Sequence, residues 1–271
     1  MRIWGKVLGA FFGFLLGNIF GALLGLWIGH RFDRGMGMSF RRAPTQQQQA
    51  VFFHATFAVM GHIAKASGQV TEQEIRVASN LMDRMRLSGE QRVRAQESFR
   101  QGKESGFPLR ETLAEFRQAS QGQRDILRFF LEVQLQAAFA DGRVEADERA
   151  ILQTIADELG ISRIELARIL AMAEAQMNFF HRQQQAGGQG QQYRQEAPSA
   201  DRLKDAYQLL GVSESDSDQD IKRAYRKEMS KHHPDKLAAK GLPPEMMEMA
   251  KEKTQEIQQA WEWIREARGI R

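Results

Sequence analysis

From Val7 to Ile28 the chain runs for 22 residues without a charge, and Asn18 is the one polar side chain in the run. As a helix this stretch reaches roughly 33 Å, enough to cross a hydrocarbon core of about 30 Å. No other feature limits the fold so strongly, because the segment must leave water and the rest must fold without it. A secretory signal peptide is the competing reading. It fails on the length of the run, on the arginines that follow it and on the lack of a small-x-small cleavage pattern after it. Residues 7–30 are therefore expected to form a transmembrane helix behind a short tail, 1–6. Arg2 and Lys6 precede the span, whereas Arg31, Arg34, Arg41 and Arg42 follow it. The more positive flank stays in the cytoplasm, so the tail is expected outside and everything beyond residue 30 inside.

Glycine occupies positions 5, 9, 13, 17, 21, 25 and 29. Removing side-chain bulk lets two helices approach closely in lipid, where hydrophobic burial offers no drive. Four residues advance about 400°, so the row drifts about 40° per step, and two helices crossing once meet through its middle. Gly13, Gly17 and Gly21 are thus the expected contact of a homodimer within the bilayer.

The net charge of +4 lies beside this segment: residues 1–43 carry a net +5, residues 44–200 a net −1, and residues 201–271 are balanced. The excess belongs to membrane flanks rather than to a phosphate-binding surface, which removes the main support for a nucleic-acid partner. The chain has no cysteine. That excludes disulfides, thiolate metal sites and a cysteine nucleophile. No motif for a cofactor is present.

After a Pro-Thr-Gln turn at 44–49, residues 50–180 show helical periodicity and few strand signals. AKASGQVTEQE at 64–74 resembles AFADGRVEADE at 138–148, with Ala64, Ala66, Gly68, Val70 and Glu74 recurring as Ala138, Ala140, Gly142, Val144 and Glu148. Each copy reads as a helix ending near a glycine and a second helix starting a few residues on. Thr71 and Glu74 form a capping box with Thr71 at the N-cap. The region is expected to be an all-α domain built from two related units. Asp141, Glu145, Asp147 and Glu148 raise the possibility of a cation, but their spacing is not that of an EF-hand loop. The first copy makes the same turn almost without carboxylates, so the turn needs no metal. His54 and His62 lie on an apolar helix face and read as core or boundary residues. The A-D-G-x-V-x-x-x-E type of turn gives the region a resemblance to the TerB-like fold. Residues 183–200, rich in glutamine and glycine, read as a flexible tether spanning roughly 20–25 Å, which would let the last domain swing relative to the middle one.

In the last segment, LKDAYQLL at 203–210 reads as a short helix stopped by Gly211, and SESDSDQD supplies a cap for the next helix. That helix carries the apolar stripe Ile221, Ala224, Tyr225 and Met229. Its opposite face offers five cations, Lys222, Arg223, Arg226, Lys227 and Lys231. It must stop at His232 or His233, because Pro234 disfavours helical geometry in the residue before it. A third helix is expected from Pro244 to Glu266, with Met247, Ala250, Ile257, Trp261 and Ile264 packing on the second. His233 and Asp235 lack a nucleophile, a paired acid or a phosphate loop, which argues against a catalytic site. Adjacent His232 and His233 point apart and, with one carboxylate, are too few for a metal. On these residues alone a plain turn stays open beside partner recognition.

D-A-Y-x-L-L-G-V, then I-K-R-A-Y-R-K, H-H-P-D-K and E-I-Q-Q-A-W, in this order and spacing, resemble a J-domain of the DnaJ family over residues 203–271. Glu228 stands where leucine is usual, and Thr254 where many members have phenylalanine. The resemblance implies an all-α hairpin that is not itself an enzyme and contacts a DnaK-type chaperone. The contact residues it implies are His233, Pro234 and Asp235 together with Lys222, Arg223, Arg226 and Lys227. The whole layout is similar to membrane-anchored co-chaperones of this family. That similarity implies a single-pass protein of the bacterial inner membrane recruiting its chaperone to membrane-proximal clients, in a setting such as envelope-stress or capsule signalling. The other reading is a membrane adaptor whose TerB-like domain binds the main partner.

Overall fold

Thr45 opens the first helix, α1 (Gln46–Lys65), by a capping box: Gln48 N donates to its Oγ1 (3.2 Å), and its own N–H donates to Gln48 Oε1 (2.9 Å). The glutamines expected in a turn at 44–49 are therefore the first turn of a helix. The computed structural model describes residues 44–66, 68, 70–139, 142–187 and 200–270, all within one unit, Ala43–Arg271. The expected membrane span and its glycine row, Gly13, Gly17 and Gly21 included, lie outside the described residues. Among the described residues no helix is long and apolar enough to cross a membrane.

α1 buries ten residues around its circumference, among them Phe52, Phe57, Val59, Met60 and Ile63. A helix that is apolar all round belongs in a core, and α1 is the axis of the middle domain. Around it stand α2 (Glu72–Arg84), α3 (Gly89–Gly102), α4 (Leu109–Ala119), α5 (Arg124–Ala138), α6 (Ala146–Leu159) and α7 (Arg163–Gly187). Phe52, Phe116 and Phe130 form an aromatic centre, with Phe116 and Phe130 stacked at 4.2 Å and Phe52 edge-on to Phe116 at 5.2 Å. Each fully buried phenylalanine contributes about 2–3 kcal/mol by area. α3 crosses α1 at Gly61 and Gly102. A β-carbon on Gly61 would overlap the carbonyl oxygen of Phe99, and one on Gly102 that of Ala58.

The two related units are visible in the backbone. Gly68 and Gly142 both take the left-handed conformation, at φ of 98° and 91°. The next helix is then opened by a reciprocal box, Thr71 with Glu74 in one unit and Glu145 with Glu148 in the other. Glu145 and Glu148 are thus engaged in capping. Asp141 lies outside the described residues. His54 is half-buried with its Nδ1 3.1 Å from Ser98 Oγ, and His62 packs on the Phe107 ring. Both are boundary residues, and burial lowers the pKa of His62.

The last domain comprises α8 (Ala200–Leu209), α9 (Asp218–His232), α10 (Pro234–Ala239), a 3-10 turn at Pro244–Met246 and α11 (Met247–Arg268). Gly211, at φ 66°, ends α8, and Ser217 caps α9 by accepting from Asp220 N (3.2 Å). Ala206, Leu209, Leu210, Ile221, Ile257, Trp261 and Ile264 form its own core, and Tyr225 stacks on Trp261 at 5.0 Å. The near end of α11 departs from expectation. Met246, Met249 and Ala250, with Leu237 and Leu242, join a cluster continuous with the core of the middle domain.

Instead of swinging freely, the last domain is therefore docked. α8 lies along α7, and ion pairs cross the seam from α11 (Glu252 to Arg84), from α9 (Glu228 to Arg128 and Arg168) and from the end of α10 (Lys240 to Asp125). The physical reason is charge and apolar complementarity between two surfaces that composition alone does not pair. Of the 183–200 stretch, residues 183–187 continue α7, and residues 188–199 lie outside the described residues.

Candidate functional site

His232 ends α9, and Pro234 at the first helical position opens α10. Proline fits there because its missing N–H would be unpaired anyway. His233 between them, at φ −58° and ψ 123°, is the N-cap of α10: Asp235 N donates to its Nδ1 (3.2 Å). With Nδ1 accepting, a neutral ring carries its proton on Nε2 as a free donor. The His-Pro-Asp segment is thus the start of a short helix rather than a plain turn. His233 and Asp235 are open to solvent, at 46% and 89% side-chain exposure, and Pro234 is half-buried.

Arg223, Arg226 and Lys227 are exposed on α9, the helix that leads into the segment, and Lys222 is half-buried. Arg223 holds Asp220 at 3.2 Å. The fifth expected cation, Lys231, is drawn away: its Nζ lies 2.8 Å from Glu228 Oε1, and burial pulls its pKa down despite that partner. His233, Pro234 and Asp235 follow the end of α9, whereas Arg226 and Lys227 lie about two turns back along the helix and Lys222 and Arg223 about three. The four cations therefore form a row running from near the start of α9 toward the segment rather than a cluster around it. Among the described residues no group of histidines and carboxylates is placed to hold a metal.

The opposite side of α9 holds residues that pattern reading did not assign to a site. Glu228, at 0% side-chain exposure, is met by Arg128 Nη2 at 3.5 Å and Arg168 Nη2 at 3.6 Å from the middle domain. Arg128 is also held by Glu132 Oε1 at 2.9 Å. His232 is not merely a helix end. It is buried, with Nδ1 3.0 Å from the Glu228 carbonyl and Nε2 2.8 Å from Glu132 Oε2. Both ring nitrogens face acceptors, so the ring is fully satisfied when both carry hydrogen. Burial alone would raise the pKa of Glu132, but His232, Lys253 and Arg128 outweigh it and hold the carboxyl well below the usual range. The signal for Glu228 was present in the sequence as an acid at a position where leucine is usual. The acid does not loosen the hairpin, because it faces the other domain. Thr254, half-buried, turns its hydroxyl onto the α11 backbone at Lys251 O (2.7 Å).

On α11, Lys253 meets Gln176 of α7, and its Nζ lies 4.0 Å from Glu256 Oε2. Burial pushes the Glu256 carboxyl above its ordinary pKa, and Lys253 and Gln176 only partly oppose this. The folded state thus holds the Glu256 proton more tightly than the unfolded state does. This contribution to stability is full below the ordinary carboxylate range and is lost as pH rises through the folded value. Glu256→Gln is expected to raise the thermal midpoint at pH 7.5 and to lose that advantage near pH 4. Melting curves at the two pH values check this.

Residues 1–42 match the family described as Co-chaperone DjlA transmembrane domain, residues 53–171 Tellurite resistance protein TerB, and residues 205–269 DnaJ domain. Co-chaperone protein DjlA of Photobacterium profundum is 55% identical over 282 residues, covering 99% of this chain and 100% of that protein. The proteins of the same name from Aliivibrio fischeri and Yersinia pseudotuberculosis are 54% and 52% identical, with full coverage of both chains. No solved structure matches the chain.

Proposed function

Since the chain belongs to the DjlA co-chaperone family, we propose that it stimulates ATP hydrolysis by a DnaK-type chaperone through His233, Pro234 and Asp235. One observation carries this reading: His233 and Asp235 stand open at the N-terminus of α10 and α9 turns Arg223, Arg226 and Lys227 to solvent, while the opposite side of α9 is docked. Cations on an exposed helix face raise the rate of encounter with an acidic surface and orient it. His233 Nε2–H and the Asp235 carboxylate then contact the partner in its hydrolysis-competent state. A co-chaperone shifts that equilibrium only by binding the competent state better than the other. The chemistry belongs to the partner, and this chain regulates it. The test is ATP turnover by a DnaK-type chaperone with the full-length protein and with its His233→Gln variant.

The membrane anchor places this activity. Residues 7–30 cross the inner membrane once, with residues 1–6 in the periplasm and the helical domains in the cytoplasm, as the arginines at 31, 34, 41 and 42 favour. Two copies associate through Gly13, Gly17 and Gly21, where helices approach closely without side-chain bulk. Leucine at these three positions is expected to abolish self-association in a membrane two-hybrid assay. Unchanged association would refute this contact.

A further inference from the structure

α5 of the TerB-like domain touches the segment that carries His233, Pro234 and Asp235 at both of its ends. Glu132 Oε2 meets His232 Nε2 at 2.8 Å, one residue before the segment. Asp125 meets Lys240, which is the C-cap of α10. The two carboxylates are seven residues apart, or about 10 Å along a helix, so one rigid element spans all of α10. Arg128, between them on α5, reaches Glu228 one turn before His232 on α9. The signs alternate along the seam: acid meets base from Asp125 to Lys240, base meets acid from Arg128 to Glu228, and acid meets imidazole from Glu132 to His232. The exposed cations Arg223, Arg226 and Lys227 lie on the other side of α9, and His233 and Asp235 remain open in the docked state.

We propose that α5 is a brace for the His-Pro-Asp segment, with Asp125 and Glu132 as positioning residues that hold α10 in the orientation it presents to the partner chaperone. This rests on the reading of His233 and Asp235 as partner contacts. The docking that supports the brace is favoured by the chain itself. Only residues 188–199 separate α7 from α8, and a connection of that length gives an effective concentration of roughly millimolar, so even a weak complementary surface stays engaged. A brace acts on how well the bound complex is aligned, and small misplacements lower turnover more than they lower encounter. Encounter is left to the α9 cations, which the brace does not touch.

The experiment uses the full-length protein in nanodiscs with a DnaK-type ATPase. Asp125→Asn combined with Glu132→Gln is expected to lower the plateau of stimulated hydrolysis by about tenfold while leaving the half-saturating concentration unchanged. Loss of fold would move both. Because the chain has no native cysteine, Asp125→Cys with Lys240→Cys can be joined by a short bis-maleimide. Joining them in the Glu132→Gln background is expected to restore the plateau. An unchanged plateau in the double variant, or a raised one, would overturn the brace. So would failure of the cysteine pair to crosslink, because the domains would then not be docked. If the pair crosslinks in high yield but the wild-type protein gives no stimulation, the contact reading of His233 and Asp235 fails and the brace, which rests on it, falls too, leaving only the docking.

Discussion

Gly102→Ala should cost about 3 kcal/mol and lower the thermal midpoint by roughly 10 °C, and the double variant with Gly61→Ala should lower it by roughly 20 °C. At the crossing of α1 and α3 each glycine faces a carbonyl oxygen of the other helix, Gly61 that of Phe99 and Gly102 that of Ala58. Helical backbone cannot move aside as a flexible side chain can, so an added methyl must push the two helices apart. Separation would loosen α1 from its neighbours and disturb a close-packed core. Domain stability is on the order of 5–15 kcal/mol, so two such insertions exhaust a large part of it. Gly106→Ala is the matched control. Its site is open, its φ is 91°, and its cost is that of backbone strain alone, about 1 kcal/mol. Thermal melts of the three variants check the order. A Gly102→Ala protein as stable as wild type would show that the crossing is not close.

His233→Gln should leave the fold in place and return the partner's ATP turnover to its unstimulated rate. The side chain is half exposed; its Nδ1 accepts from the Asp235 N–H at 3.2 Å and lies 4.0 Å from Asp235 Oδ2. Losing an N-cap contact costs about 0.5–2 kcal/mol, which a docked hairpin tolerates. Glutamine keeps polarity but not the ring that presents a fixed Nε2–H beside Asp235, so the contact meant for the competent state is lost. A matched melting curve and loss of stimulation together separate a contact role from a packing role.

Local signals in this chain were legible because their causes are local. Thr71 with Glu74 named a helix start, Gly211 a helix end, and Pro234 a break at His232 or His233, each set by chemistry within four residues. The J-domain core, with Ile221, Tyr225, Ile257 and Trp261, followed from helical spacing in the same way. What stayed hidden depended on partners far away in sequence. His232 and Glu132 are 100 residues apart, and nothing in HHPD says that the first histidine is buried against another domain. Periodicity also does not say which helix crosses which, so the place of α1 as an axis and the roles of Gly61 and Gly102 emerged only from packing. Glu228 lies between these cases. Its departure from leucine was visible, but its meaning required Arg128 and Arg168 beside it.

The most direct measurement is single-turnover ATP hydrolysis by a DnaK-type chaperone, with the full-length protein in nanodiscs added at rising concentration. The wild-type chain should raise the rate about tenfold or more, equivalent to about 1.4 kcal/mol off the barrier. His233→Gln, at the same folded concentration, should leave the rate at its basal value. Equal stimulation by the two proteins would contradict the assignment of His233, Pro234 and Asp235 as the contact that drives the partner's turnover.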